Sequence, residues 1–281
     1  MRPPIPYYGG KQRIADRIVA TFPEHLHYVE PFAGGLSVLL AKPKSKVETV
    51  NDLDQHLVTF WRILRDQPED LMRVCTFTPH SRAELDLCRQ PMSGLSDLEI
   101  ARRVWSQLAQ GRSGRRTRTG WRFHVNGDTN VGMDTYLRGY VGRMPATADR
   151  IASVQLECMP ALDIIDLYGR EPTTLLYVDP PYLSTTRRSL QYVHELHTEA
   201  EHVELAEALN STAAAVVLSG YRSPLYDRIY SDWETVEIPA STQQSGRDAR
   251  RTEVLWMNFT PSAERLPFEQ AWLNNRMETP T

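Results

Sequence analysis

The sequence of 281 residues predicts an open, mostly parallel α/β sheet that carries an inserted, mainly helical lobe. Two observations predict the sheet: short apolar runs bounded by turn residues recur along the chain, and helical patterns lie between many of them. A third observation predicts the insertion. Between about residues 68 and 150 this alternation stops, and helical stretches give way to a segment rich in glycine and arginine.

The predicted strands are short and apolar, which indicates that several are buried on both faces of the sheet. The strands are residues 28–29, 47–50, 154–156, 175–178, 214–218, 236–238 and 254–257. The predicted helices are residues 36–41, 55–65, 97–110 and 199–209, with a final helix after Pro261. We therefore predict a core of residues 1–66 plus 151–281 and an inserted lobe of residues 67–150.

Composition places the chain among ordinary globular proteins, since 41% of its residues are hydrophobic and 24% are charged. Its three cysteines, Cys75, Cys88 and Cys158, have neither the spacing of a zinc site nor the even number of a disulfide framework. The amino terminus lacks the apolar region of a signal peptide, and the longest apolar run is too short to span a bilayer. We therefore expect a cytoplasmic protein with no membrane partner.

The net charge of −3 conceals an uneven distribution. Residues 101–150 contain ten arginines and three aspartates and neither lysine nor glutamate, a balance of +7, so the remainder of the chain carries −10. A basic segment on an acidic body is typical of a protein that binds a polyanion through one lobe, which the net charge alone would not indicate.

A glycine-rich turn follows the first predicted strand, in the sequence VEPFAGGLS of residues 29–37. In open α/β sheets ligands bind at such turns, because glycine allows the backbone to approach the ligand and the next helix presents free N–H groups. A tight turn without a ligand is the alternative, and the dinucleotide fingerprint G-x-G-x-x-G is not matched.

Two carboxylates follow the second predicted strand. Asp52 is suited to bind the ribose hydroxyls of a nucleoside-containing cofactor, because one carboxylate accepts both hydrogen bonds. Asp54 is predicted mainly to cap the helix that begins near Gln55, and capping is also the alternative role of Asp52.

The most informative motif ends the strand at residues 175–178, where the sequence reads LLYVDPPY up to Tyr182. Prolines have no N–H and a fixed φ, so the carbonyls of Asp179 and Pro180 are available as rigid acceptors. A carboxylate and a carbonyl aimed at one point can accept both hydrogens of an exocyclic amine, and Tyr182 can stack on the attached ring. A strand that simply ends in a Pro-Pro turn would explain the prolines but not Asp179 or Tyr182.

In these motifs the sequence resembles the D12 class, or Dam-like, N6-adenine-specific DNA methyltransferases. The matches occur in the family's order over nearly the whole chain: PYYGGK at 6–11, EPFAGG at 30–35, DPPY at 179–182, SGYRSPLY at 219–226 and RTEVLWMN at 251–258. The resemblance implies the Rossmann-like open sheet of S-adenosylmethionine-dependent methyltransferases. The sequence departs from the family at Leu36, where a further glycine is common, and at Pro160, where an acid is usual.

The resemblance also implies roles for individual residues. The cofactor S-adenosylmethionine is expected to contact Tyr7, Lys11, Phe32, Gly34 and Asp52. Catalysis is expected of Asp179, Pro180, Pro181 and Tyr182. The acid and the carbonyl hold the target amine while the methyl group is displaced in line, and no metal is expected because the thioether leaves as a neutral group.

Arginines of the inserted lobe are the predicted contacts to double-stranded DNA. Five lie in a stretch without acids, beside Trp121 and Phe123: Arg112, Arg115, Arg116, Arg118 and Arg122. Arginine suits phosphate contact and guanine reading, and aromatic rings can wedge into a base stack. A solvated loop is the alternative. We therefore interpret residues 67–150 as a target-recognition lobe.

Together these features predict a site-specific DNA methyltransferase that transfers a methyl group from S-adenosylmethionine to N6 of a flipped-out adenine. The alternatives are an N4-cytosine or RNA adenine methyltransferase, and a catalytically silent DNA-binding protein on the same fold. A cognate restriction endonuclease is a further candidate partner. An NAD-dependent oxidoreductase fits the glycine-rich turn and Asp52 but leaves residues 179–182 unexplained.

Overall fold

A seven-stranded sheet forms the centre of the protein. The computed structural model describes residues 1–117, 119–124, 132–182, 198–241 and 250–261. The strands are β1 (His27–Glu30), β2 (Val47–Asn51), β3 (Gln155–Glu157), β4 (Thr174–Val178), β5 (Ala215–Gly220), β6 (Glu234–Ser241) and β7 (Arg250–Met257). Each contains or overlaps one of the predicted strands, so all seven predictions are confirmed.

The order of the strands is β3-β2-β1-β4-β5-β7-β6. The strands from β3 to β5 are parallel, whereas β7 runs antiparallel to both β5 and β6. The chain leaves β1 towards β2 on one side and later adds β4 on the other side, so the order reverses between β1 and β4. In open α/β sheets the crevice at such a reversal, at the carboxyl ends of the strands, is where ligands bind.

Helices flank the sheet and form the insertion. The described helices are α1 (Ala15–Ala20), α2 (Gln55–Asp66), α3 (Pro68–Thr76), α4 (Arg82–Cys88), α5 (Asp97–Gln110), α6 (Met133–Val141), α7 (Met144–Ile151), α8 (Ala161–Tyr168), α9 (Glu199–Asn210) and α10 (Pro224–Ile229). The predictions that correspond to α2, α5 and α9 are confirmed, whereas the predicted final helix after Pro261 lies outside the described residues. None of the described helices has both the length and the apolar composition needed to cross a bilayer.

The predicted helix at residues 36–41 is wrong, because the chain there forms successive turns. Leu36 has a φ of 54°, in the left-handed region that a regular helix excludes. The N–H of Leu39 would be one of the four unpaired donors of the first turn, and it donates to the carboxylate of Glu30 at 2.8 Å. The left-handed conformation of Leu36 and the few residues left before Pro43 therefore allow turns but no regular helix.

The insertion is mainly helical and shares a hydrophobic core with one face of the sheet. Trp105 and Leu108 of α5 belong to the same buried cluster as Tyr28 of β1 and Phe60 of α2. Where the chain returns to the sheet, Arg150 of α7 forms a buried ion pair with Glu48 of β2. The division of the chain at residues 66/67 and 150/151 stays a prediction.

Candidate active site

A cavity of about 300 Å³ opens at the carboxyl ends of β1, β2 and β4. All five residues predicted to contact a cofactor line this cavity: Tyr7, Lys11, Phe32, Gly34 and Asp52. Asp179 and Pro181 of the DPPY motif line it as well. The fold therefore brings the amino-terminal segment, the glycine-rich turn and the end of β4 to one place, at the reversal of strand order.

The glycines of the turn allow the amino-terminal segment to pack directly on it. Gly34 has a φ of +47°, and a Cβ atom there would lie 2.7 Å from the ring of Tyr7. A Cβ atom on Gly35 would lie 2.7 Å from the Cβ of Tyr7. Leu36 also has a positive φ, so the glycine that the family often has at this position would be less strained there. The Leu36 side chain is buried in the core and does not line the cavity.

Asp52 and Asp54 have different roles in the structure. The carboxylate of Asp52 accepts hydrogen bonds from the N–H groups of Gly34 and Asp54, at 3.0 and 2.9 Å. Burial raises its pKa to about 6. Asp54 accepts hydrogen bonds from the N–H groups of His56 and Leu57, so its predicted role as the cap of α2 is confirmed. Asp52 thus connects β2 to the glycine-rich turn on the cavity wall.

A cluster of four polar side chains surrounds the end of β4. The Nζ atom of Lys11 donates to Oδ1 of Asp179 at 2.8 Å and also contacts the hydroxyl of Tyr182. The Tyr182 hydroxyl lies 3.0 Å from the same oxygen of Asp179 and forms a short hydrogen bond with Glu253. Sequence reasoning missed Glu253, although it lies within a motif that carried the resemblance, because its position inside a strand indicated only structure.

The cluster is buried, and burial changes its protonation. Burial raises the pKa of Asp179, and the carboxylate of Glu253 raises it further, although Lys11 opposes both effects. Burial alone would lower the pKa of Lys11, but Asp179 and Glu253 outweigh this effect and raise it. The ammonium group therefore stays charged and compensates two neighbouring carboxylates.

The arginines predicted to bind DNA lie in different environments. A bridge between Gly111 and Trp121 closes a loop, which we call the arginine loop (residues 111–124, with 118 not described). Within it Arg112 is exposed, whereas the side chain of Arg116 is 8% exposed and forms an ion pair with Asp54. Three of the described arginines lie over aromatic rings: Arg115 over Tyr8, Arg122 over Tyr136 and Arg112 over Phe123. Nε of Arg112 also donates to the carbonyl of Trp121 at 3.2 Å. Arg118 lies outside the described residues.

The two aromatic residues of the arginine loop form a stack. The rings of Trp121 and Phe123 lie 5.3 Å apart with an interplanar angle of 17°, and the ring of His80 stacks on Trp121 at 4.5 Å. The guanidinium of Arg82 lies over both rings of the loop, 4.7 Å from Trp121 and 4.9 Å from Phe123. An open cleft of about 400 Å³ borders this stack.

Comparison with known proteins identifies the family. The family model described as D12 class N6 adenine-specific DNA methyltransferase matches residues 7–244. The chain belongs to this family. A Type II methyltransferase from Lactococcus lactis subsp. cremoris, M1.LlaDCHI, is 24% identical over 278 residues, which cover 92% of this chain and 96% of that protein. The D12 protein is therefore an adenine-specific DNA methyltransferase that uses S-adenosylmethionine.

Solved structures add weaker similarities. An rRNA methylase from Streptococcus thermophilus has 9% identity and a TM-score of 0.36, over 87% of this chain and 93% of that one. The Streptococcus mutans protein SMU.1697c, solved in complex with SAH, has 7% identity and a TM-score of 0.35, over 87% of this chain and 96% of that one. The assignment of the D12 methyltransferase rests on the family match and not on these two structures.

The cavity has the groups that S-adenosylmethionine requires. One buried hydroxyl on its wall, Oγ of Ser37, has no hydrogen-bond partner within the described part of the chain, so it is available to a polar ligand. Asp52 is placed to accept from ribose hydroxyls, and Phe32 and Leu162 provide apolar surface for an adenine ring. The residues of this methyltransferase therefore fit its cofactor.

Proposed function

We propose that Asp179 and the carbonyl of Pro180 hold the N6 amine of a flipped-out adenine in DNA at the mouth of the cofactor cavity. The observation that carries this proposal is that the Asp179 carboxylate lies on the wall of the same cavity as Asp52 and the glycine-rich turn. S-adenosylmethionine supplies an electrophilic methyl group on a positively charged sulfur. A target amine bound to Asp179 is then within reach of that methyl group without a rearrangement of the sheet.

The two acceptors overcome the low nucleophilicity of an aromatic amine. The lone pair of the N6 atom is delocalised into the ring, and acceptors for both hydrogens favour a pyramidal nitrogen whose lone pair points at the methyl group. Among the described residues, hydrogen bonds to Asp179 involve Oδ1 only. Its Oδ2 atom is therefore the acceptor that we assign to the amine.

Tyr182 is the proposed stacking surface for the target base. Its hydroxyl is held by Lys11 and Glu253, and its ring contacts Tyr221 edge to face at 4.6 Å. A ring held on two sides loses little further entropy when a base stacks on it. Such stacking offsets part of the few kcal/mol that extrusion of a paired base costs.

The inserted lobe, residues 67–150, is the proposed target-recognition lobe. Its carboxyl-terminal half carries the +7 charge of residues 101–150, and exposed Arg112 lies next to the aromatic stack of Trp121 and Phe123. Exposed guanidinium groups suit phosphates, and aromatic groups suit contact with bases. The arginine loop is therefore the part of the lobe that we place against DNA.

The similarity to the Type II methyltransferase of Lactococcus lactis supports a role in restriction and modification. That protein is a Type II methyltransferase, and its similarity extends over nearly the full length of both chains. We propose that this methyltransferase also protects DNA from a cognate restriction endonuclease, and that it acts in the cytoplasm.

The test is transfer of tritium from labelled S-adenosylmethionine to unmodified duplex DNA, followed by nucleoside analysis. We expect label in N6-methyladenine with the wild-type protein and loss of transfer with Asp179→Asn, while both proteins stay folded and keep the same cofactor affinity. Asp166→Asn, at an exposed acid of α8, is the matched control and should transfer normally. Label in N4-methylcytosine or only in RNA, DNA binding without transfer, or full activity of Asp179→Asn would each contradict the proposal.

A further inference from the structure

Glu253 is a buried carboxylate outside the residues assigned to catalysis and to cofactor binding. It lies in β7, is 3% exposed and does not line the cofactor cavity. Burial of a carboxylate costs several kcal/mol unless hydrogen bonds and opposite charges compensate it. The groups that compensate Glu253 therefore indicate what it does.

The described side-chain contacts of Glu253 reach β5 and the cluster at the end of β4. Its Oε1 atom accepts a hydrogen bond from Oγ of Ser219 at 2.6 Å and another from the hydroxyl of Tyr182. The same atom lies 3.4 Å from Nζ of Lys11, which is bound to Asp179. Glu253 thus reaches Asp179 through two intermediaries, Tyr182 and Lys11.

The hydroxyl of Tyr182 has one hydrogen but two carboxylates within reach. Its hydrogen bond to Glu253 is the shorter one, and its oxygen lies 3.0 Å from Asp179. A hydroxyl that donates to Glu253 cannot donate to Asp179 at the same time. Glu253 therefore leaves the acceptor capacity of Asp179 for another donor.

The ammonium group of Lys11 likewise interacts with both carboxylates, Asp179 and Glu253. An ammonium group has three hydrogens, and Lys11 contacts the carbonyl of Gly9, Asp179 and Tyr182. With Asp179 alone, this single cation would neutralise the catalytic acid. With Glu253 as a second partner, the pair of acids keeps an excess of negative charge.

We propose that Glu253 is a positioning residue for methyl transfer: it holds Tyr182 and Lys11 so that Asp179 remains an acceptor for the target amine. This inference rests on the proposed role of Asp179. Glu253 does not line the cofactor cavity, so we expect its loss to act mainly on the transfer step.

The electrostatic surroundings of Asp179 make the proposal measurable. Six titratable groups from several elements interact with Asp179: Lys11, Glu30, Tyr177, Tyr182, Tyr226 and Glu253. Tyr221, in the loop after β5, interacts with Lys11 and contacts the ring of Tyr182. The pKa of Asp179 is raised by burial first and then by the charge of Glu253. Loss of that charge should lower the pKa of Asp179, so activity should persist to lower pH.

The experiment compares single-turnover methyl transfer as a function of pH in Glu253→Gln, Glu253→Asp and wild type. For Glu253→Gln we expect a transfer rate at least about tenfold lower near neutral pH, an acid limb shifted to lower pH, and cofactor and DNA affinities within about twofold of wild type. Glu253→Asp keeps the charge and should keep the wild-type acid limb. Glu234→Gln, at an exposed position of β6, is the control and should match wild type.

The other outcomes of this experiment separate the role of Glu253 from the role of Asp179. An unchanged rate and acid limb in Glu253→Gln, or a loss confined to cofactor affinity, would overturn the inference while the loss of activity in Asp179→Asn still upholds the proposed function. Full activity of Asp179→Asn would overturn both. If Glu253→Gln does not fold, Ser219→Ala removes one hydrogen bond from the same carboxylate, and a wild-type transfer rate in that variant would contradict the role of Glu253.

Discussion

The guanidinium of Arg116 forms an ion pair with the carboxylate of Asp54, and both side chains are 8% exposed. Asp54 caps α2 next to the cofactor cavity, whereas Arg116 belongs to the arginine loop of the inserted lobe. The same loop also contacts the amino-terminal segment, because the N–H of Tyr8 donates to the carbonyl of Gly114 at 2.8 Å. One loop of the lobe is therefore bound to two residues that line the cofactor cavity, Tyr8 and Asp54.

Arg116→Met is expected to affect the cofactor site and not only DNA binding. It leaves the buried carboxylate of Asp54 without its partner, which should lower the free energy of unfolding by about 3 kcal/mol and weaken binding of S-adenosylmethionine. Urea unfolding and calorimetric titration measure the two effects. Arg112→Met, at an exposed position in the same loop, should change neither value, and equal losses in both variants would contradict the assigned contact.

Arg112→Ala is expected to weaken DNA binding through the loss of a phosphate contact. The affinity for DNA should fall equally for all DNA sequences, and the affinity for the cofactor should not change. The slope of the logarithm of the DNA-binding constant against the logarithm of the salt concentration should decrease in magnitude by about one. Fluorescence anisotropy at several salt concentrations measures both quantities. Arg228→Ala, on the exposed side of α10, is the control, and an unchanged salt slope in Arg112→Ala would remove Arg112 from the DNA surface.

Gly34→Ala is expected to disrupt the cofactor cavity. The positive φ of Gly34 disfavours alanine by about 1 kcal/mol, and the new Cβ would lie 2.7 Å from the Tyr7 ring, so this ring must move. We expect at least about a tenfold loss of S-adenosylmethionine affinity, measured by calorimetry. Gly139→Ala in α6 adds a Cβ that meets no atom within 4 Å and should leave binding unchanged and the helix slightly more stable.

Binding of S-adenosylmethionine is expected to depend on the protonation of Asp52. Its raised pKa of about 6 means that the carboxylate is charged above that pH and becomes protonated below it. A charged acceptor binds ribose hydroxyls more strongly, so affinity should be constant above about pH 6 and fall below it. Calorimetry between pH 5 and pH 8 with Asp52→Asn, which should bind weakly and lose this dependence, checks the assignment. If Asp52→Asn shows the same loss of affinity below pH 6, the pH dependence belongs to another group.

The sequence by itself determined the strands and the order of the motifs, because both depend on local patterns. Most of the apolar runs between turn residues are buried in the sheet, and the DPPY turn follows its strand directly. The prediction for residues 36–41 failed because Leu36 has a left-handed backbone conformation, which a leucine does not indicate in a sequence. The Leu36 side chain is fully buried, so tertiary packing and not local periodicity decides this conformation.

Only the tertiary structure decided which charged side chains lie in contact. Lys11 and Asp179 are 168 residues apart in sequence, and Tyr182 and Glu253 are 71 apart, yet the strand order places all four in one cluster. In the same way, the composition of the arginine loop predicted a basic surface but not that Arg116 turns inward to Asp54. Burial of a charge is stable only beside its counter-charge, and the folded arrangement alone determines which counter-charge is near.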